Sequence, residues 1–340
     1  MPAAKVNDLR VGALYGLGGG LAILALLFGL AYWYSLHVPG RSHDGPLPPA
    51  TPEELQLADS LRRHVTAIAS EPHNVQHYQA LQASAAYLEE ALKATGYEVV
   101  SQSYEVGGRT VRNLEATVAP ANAGTPEPSL VAGAHYDSAG DAPGANDNAS
   151  GAAAILELAR LLKGSAPARP IRLVLFVNEE PPYFQTPDMG SARYADWLVE
   201  RGEDVHAMLS LETLGSYSDE PGSQAYPWPF RAFLGDRANF VAFVGMPGSR
   251  DLVHAAIGSF RRHAAFPSVG GVAPAAIPGI DWSDHWAFAW QDTPAIMITD
   301  TAIFRYPHYH QRSDTPDKLD YERLARVVKG LEHVIRDLAR

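Results

Sequence analysis

The chain has no cysteine among its 340 residues. That excludes a disulfide framework, a thiolate nucleophile and any sulfur-ligated metal, so a metal site here can draw only on His, Asp and Glu. Basic residues are scarce: 27 Lys and Arg stand against 38 Asp and Glu, a net charge of −11. Binding a phosphate backbone needs a basic surface, so the charge balance argues against nucleic acid as a partner. No internal repeat is visible. Charge is missing altogether from Val11 to Ser35, "VGALYGLGGGLAILALLFGLAYWYS". As a helix this run would be long enough to cross a hydrocarbon core of about 30 Å. Lys5 and Arg10 precede it, and Tyr32, Trp33 and Tyr34 close it, which suits a helix with its N-terminus in the cytoplasm. The length of the run and the lack of an A-x-A site favour this over a cleaved signal peptide. The expected organisation is a cytoplasmic tail over 1–10, a transmembrane signal-anchor helix over 11–36, and a Pro- and Gly-rich linker over 37–50. A folded domain over 51–340 follows, periplasmic or extracellular, on a single-pass chain that meets the lipid bilayer through residues 11–36.

What the domain does have is alternation. Apolar residues make up 46% of the chain, ample for a buried core. "TPEE" offers Thr51 as N-cap, Pro52 at the first helical position and Glu54 closing a capping box. Leu55, Leu57, Leu61, Val65 and Ile68 then form a helical stripe, and a second helix runs from about Gln76 to a stop at Gly96. "YEVVSQSYEV" and "TVRNLEATVA" read as a hairpin around Gly107-Gly108. Strand-like "SLVAGAHY", "IRLVLFVN", "VHAMLSLETLG", "FVAFVG" and "PAIMITD" then alternate with helical segments, and a closing helix covers about Tyr321 to Ala339. This pattern predicts a three-layer α/β/α domain with a mostly parallel, mixed central sheet. In such sheets sites form at the carboxyl ends of strands.

Those ends carry the chemistry. "SLVAGA" runs into His135, with Asp137 two residues on and Asp147 in the following loop, "GANDNASG". "IRLVLFVN" ends in Glu179 and Glu180, "VHAMLSLE" in Glu212, and the loop after "PAIMITD" holds His308, His310 and Asp314. Singly, most have an ordinary reading as polar loop residues or a helix N-cap. Adjacent glutamates at the mouth of a buried strand are harder to dismiss, because they repel and desolvate each other and call for a cation.

Taken in order, "HYDS", "GANDNASG", "NEE", "LETLG", "SDHWAF" and "YHQRSDTPDKLD" resemble the co-catalytic zinc aminopeptidase family. That family includes bacterial leucyl aminopeptidases, with glutamate carboxypeptidase II and glutaminyl cyclase as relatives. The resemblance covers about Glu54 to Arg340. It implies a zinc-exopeptidase-like fold and two Zn2+ per chain. His135 and Glu212 would bind one ion, Glu180 and His310 the other, with Asp147 bridging them. Glu179 would be the general base to a water between the metals, Asp137 would orient His135, and Asp284 would lie behind the ligands. Glu212 stands where most relatives have Asp, "EEPPYFQTPDMGS" carries extra residues after the glutamates, and His308 has no counterpart.

The implied activity is a membrane-anchored aminopeptidase acting on peptides with a free N-terminus. An acidic pocket suits an α-amino group, whereas a terminal carboxylate would need an Arg cluster. Arg305 and Arg312 flank the last ligand loop and leave that point open. Glutaminyl cyclisation on the same fold, with a single zinc, and a catalytically inactive interaction ectodomain are the alternatives.

Overall fold

The capping box at Thr51 closes as its sequence requires: the Glu54 amide donates to the Thr51 hydroxyl at 3.2 Å, and the Glu54 carboxylate accepts from the Thr51 amide at 2.7 Å. It starts the first long helix of a computed structural model that describes residues 20, 23–122, 127–226 and 235–340. The chain divides into two units, Met1–His37 and Val38–Arg340.

In the first unit the described residues include a helix over 23–36 (α1) whose Ile23, Leu24, Leu26, Leu27, Phe28 and Leu30 are exposed. Among the described residues no helix is long and apolar enough to cross a membrane. The tail at 1–10 and residues 11–19, 21 and 22 of the expected span lie outside the described residues.

The second unit is built on one sheet of β1 (Val99–Val106), β2 (Arg109–Val118), β3 (Ser129–His135), β4 (Ile171–Phe176), β5 (Val205–Glu212), β6 (Val241–Gly245), β7 (Ser268–Val272) and β8 (Ala295–Thr299). The order is β1-β2-β4-β3-β5-β8-β6-β7. The central β4-β3-β5-β8 run is parallel; β2 joins β4, and β6 joins β8, antiparallel. Strand β7, "SVGGV", is not among the strands expected from the sequence.

The two-residue period of a strand sorts the core into two layers. Leu130, Ala132 and Ala134 of β3 face one cluster, while Val131 faces the other. The larger layer contains α2 (Pro52–Ile68), α3 (Tyr78–Ala94), α4 (Ser150–Leu162), α6 (Arg250–His263) and α9 (Tyr321–Leu338). The smaller contains α5 (Gly190–Glu200) and the short α7 (His285–Ala289); α8 is the turn Ala302–Arg305. This is the three-layer mixed α/β architecture the alternation predicts. The β3–β4 connection runs through α4 on one face, and the β4–β5 connection through α5 on the other. Since β4 and β5 flank β3, winding reverses there, and a crevice opens at the carboxyl ends of these three strands.

Of residues 37–50, read as a linker, 38–50 belong to this unit and lie along it. Arg261 Nη1 donates to the carbonyls of Pro39 and Gly40 at 2.9 and 3.0 Å. The Ser268 amide donates to the Ser42 hydroxyl at 2.8 Å, and Arg326 donates to the Pro48 carbonyl at 2.5 Å. Val38 and Leu47 pack on the larger core.

Candidate metal centre

Strand β3 is buried along its whole length, so its last residue, His135, emerges without solvent contact. Its Nε2 lies 3.4 Å from Asp147 Oδ1, 3.4 Å from Glu212 Oε2 and 3.8 Å from Glu179 Oε2. On the other side, His310 Nε2 lies 3.0 Å from Asp147 Oδ2 and 3.3 Å from Glu180 Oε1. Asp147 therefore presents one oxygen to each imidazole. The sets His135–Asp147–Glu212, His135–Glu179–Glu180 and Asp147–Glu180–His310 each bring their ligand atoms within 4.8 Å of one another. Three strand ends and two loops, far apart in sequence, thus converge.

The loops are held by their own hydrogen bonds. Asp314 accepts from the amides of Asn146 (2.9 Å) and Asp147 (3.2 Å) and from the Tyr306 hydroxyl (2.7 Å). Asn146 and Asn148 accept from the amides of Gly215 and Thr213 just past β5, at 2.8 and 3.0 Å. Asp300, in turn, accepts from the Asn146 side chain at 3.0 Å and the Ser216 amide at 2.7 Å. Gly144 makes the turn possible: its φ is 71°, and a Cβ there would stand 2.6 Å from the Asp147 carbonyl oxygen. None of Asn146, Asp300 or Ser283 was picked out from the sequence; "GANDNASG" and "SDH" contained two of them as motif letters only.

Asp137 differs in detail from its expected part. His135 Nδ1 meets the Asp137 backbone carbonyl at 3.1 Å, while the nearer carboxylate oxygen is 3.6 Å away, beyond a hydrogen bond. That carboxylate accepts instead from the amides of Glu179 (3.0 Å) and Glu180 (3.2 Å). Asp284 is wholly buried at the start of α7 with both oxygens unpartnered. Burial raises its carboxyl to about 7, against the pull of His135. Glu212 Oε2 accepts from the Ser283 hydroxyl at 2.8 Å. His308 turns away, 2.8 Å from Ser313 Oγ. The extra residues after Glu180 form a loop clasped to the segment before Ser283: Gln185 Nε2 donates to the Asp281 carbonyl and carboxylate at 3.1 and 3.2 Å. Arg305 is committed to Gln224 and to the carbonyls of Ser216, Ala238 and Phe240, and exposed Arg312 pairs with Asp141.

Electrostatically the cluster is short of positive charge. Burial pushes Glu179 well above the usual carboxylate range, Glu180 to about 7, and Glu212 upward. Burial opposes a proton on either imidazole. The surrounding carboxylates outweigh it, lifting His135 well above its ordinary value and His310 to about 10. For Asp147 burial acts upward, yet the two imidazoles hold it below the usual range. His135 Nε2, Asp147 Oδ2 and Glu180 Oε1 are buried without a hydrogen-bond partner, each costing about 1–3 kcal/mol if left so. Cations on the two sides of Asp147 would satisfy all three atoms and replace the protons held by the imidazoles. A donor set of nitrogen and carboxylate oxygen without sulfur fits zinc.

The model of peptidase family M28 matches residues 113–335. The Escherichia coli protein YfbL is 39% identical over 291 residues, covering 83% of this chain and 87% of that protein. A probable zinc metalloprotease of Leptosphaeria maculans is 29% identical over 236 residues, 64% of this chain; the match spans about half, 53%, of that longer protein. Among solved structures, the chain is similar to Legionella LapA, with a TM-score of 0.67 at 20% identity over 84% of this chain and 74% of that one. It is also similar to BSAP, a zinc aminopeptidase from Bacillus subtilis, with a TM-score of 0.64 at 16% identity over 85% and 95%. A glutaminyl cyclase from Fimbriiglobus ruber has a TM-score of 0.62 at 20% identity over 87% and 98%. At these identities the structural likeness is one of fold.

Proposed function

The chain belongs to peptidase family M28, as a zinc hydrolase acting on peptides, and we propose that its centre removes N-terminal residues from peptide substrates with two Zn2+ per chain. The observation that carries this reading is Asp147 offering one carboxylate oxygen to each of two imidazoles. His135, Glu212 and Asp147 would hold one ion; Glu180, His310 and Asp147 would hold the other. Bound zinc supplies a water with a pKa lowered towards about 7 and polarises the scissile carbonyl.

The chain's own residues do the rest. Glu179 Oε2 stands 3.8 Å from His135 Nε2, beside the ligands rather than needed as one. It is buried beside the ligands, the position for a carboxylate that takes a proton from the attacking water and returns it to the leaving amine. Asp137 positions both glutamates through their amides. The carboxylate-rich cleft favours a protonated α-amino group. A substrate's terminal carboxylate would find Arg305 Nη1 on three carbonyls, Nη2 buried, and Arg312 out on the surface.

The cyclase reading rests on the shared fold and predicts one zinc; the presence of His135 and Glu212 opposite His310 and Glu180 favours two. An inactive ectodomain would lack ligands or base, and this cluster has both. The test is a panel of aminoacyl chromogenic substrates beside a peptide with N-terminal Gln, with zinc counted per chain. Release of chromophore with two zinc ions supports the aminopeptidase; cyclisation with one zinc supports the rival. We also propose single-pass membrane attachment, N-terminus cytoplasmic and the catalytic domain periplasmic or extracellular, on the strength of the uncharged run Val11–Ser35 and the exposed apolar residues of α1. Finding the full chain in the soluble fraction after cell lysis would overturn it.

A further inference from the structure

Glu212 is a long, flexible ligand side chain, and two buried hydroxyls hold its carboxylate. Glu212 ends β5, and Ser210 lies two residues earlier on the same face of the strand. Ser210 Oγ lies 2.6 Å from Ser283 Oγ, and Ser283 Oγ donates to Glu212 Oε2 at 2.8 Å. Both serines are 0% exposed. A hydroxyl has a single hydrogen to give. Since Ser283 gives its hydrogen to the carboxylate, Ser210 must donate to Ser283, so the chain of donors runs one way and ends on Glu212 Oε2. That same oxygen is the one 3.4 Å from His135 Nε2. Both supports are rigid. Ser210 sits inside the sheet, and Ser283 is fixed at the entry to α7, where its carbonyl accepts from the Trp286 amide at 3.0 Å. A glutamate loses more side-chain freedom when fixed than a shorter side chain does, so a dedicated donor has something to offset.

We propose that Ser283, aligned by Ser210, is a positioning residue that aims Glu212 at the His135 side of the centre and so sets the affinity of that side alone. The proposal rests on the metal assignment given above, and it concerns binding rather than turnover.

The experiment is a Zn2+ titration of the full metal-free chain against a chromophoric chelator. Partners behind metal ligands typically contribute about 10–100-fold in affinity. Ser283→Ala should therefore weaken one binding step by about that factor and leave the other unchanged. Ser283→Thr, which keeps the hydroxyl, should bind like the parent. A double-mutant cycle removes the structural explanation. In a Glu212→Asp background the carboxylate is withdrawn from Ser283, so adding Ser283→Ala should change nothing further. Equal weakening of both steps, no weakening of either, or the same loss in the Glu212→Asp background would each overturn the proposal. A parent chain that takes up two ions, with the Ser283 effect on one step, yet cleaves no aminoacyl substrate would overturn the proposed function and leave this inference standing.

Discussion

Replacing Asp137 by Asn should loosen both glutamates without altering either. The Asp137 carboxylate accepts the Glu179 amide at 3.0 Å and the Glu180 amide at 3.2 Å. Asn keeps one acceptor oxygen and turns an NH2 towards the other amide. Hydrogen bonds to a charged group contribute about 1.5–3 kcal/mol each and neutral ones about 0.5–1.5, so one bond is lost and one weakened. Removing a negative charge from a carboxylate-rich cluster returns part of this, leaving a net loss of about 2–3 kcal/mol. At roughly 2 °C per kcal/mol for a domain of this size, the melting temperature of the metal-free protein should fall by about 4–6 °C. Displacement of Glu179 should lower kcat by about 10²-fold, with KM little changed. Thermal melts with and without zinc, beside steady-state kinetics, make the assay. An Asn variant with the parent melting temperature and the parent kcat would refute the positioning role. A loss confined to zinc affinity at one site, with kcat intact at saturating zinc, would show that Asp137 acts through His135 instead.

Gly144→Ala forces a Cβ to within 2.6 Å of the Asp147 carbonyl oxygen at a φ of 71°, so it should lose zinc and melt lower; metal content and a melt decide. His310→Ala leaves Glu180 and Asp147 as the protein ligands on that side, and one zinc per chain should dissociate on dialysis. His285 is buried neutral, with its Nε2 2.8 Å from the Ile280 carbonyl, and burial lowers it to about 4. Its folded value lies below its unfolded one, so the stability it permits is complete above about 6.5 and falls by about 3 kcal/mol as pH drops to 4. His285→Gln should flatten the urea midpoint against pH over that window, and an unchanged slope would count against it. A chain starting at Val38 should melt higher than one starting at Thr51, because only the former retains the contacts of Pro39, Gly40, Ser42 and Pro48.

Local chemistry was readable before the fold was known. Thr51 and Glu54 specify a capping box by their spacing alone, and Gly107 and Gly108 take the positive φ values, 56° and 73°, that a tight hairpin needs. The fully apolar strands announced burial on both faces. Strand order was not readable, because nothing in β4 or β5 says that both lie beside β3. The segment 38–50 looked free for a similar reason: its Pro and Gly composition is local, while its partners Arg261, Ser268 and Arg326 lie over two hundred residues away. At the site, residues whose type is distinctive drew notice, namely the paired glutamates and the histidines at strand ends. Asn146, Asp300 and Ser283 did not, because a buried amide, carboxylate or hydroxyl that holds a loop looks in sequence like any surface polar residue. Asp137 is legible as a strand-end carboxylate but its partners are not, since amides contributed by the backbone of another strand end leave no trace in side-chain letters.

The most direct test of the two-zinc hydrolase separates Glu179 from Glu180. Zinc per chain and turnover are measured together on Glu179→Gln and Glu180→Gln. Glu179→Gln should retain both zinc ions and lose about 10²–10⁴-fold in kcat, the usual range for a missing general base. Glu180→Gln should lose zinc and recover part of its activity when zinc is added. If Glu179→Gln loses zinc while Glu180→Gln keeps it, or if both variants turn over like the parent, the assignment of proton transfer and metal binding to these neighbouring residues is contradicted.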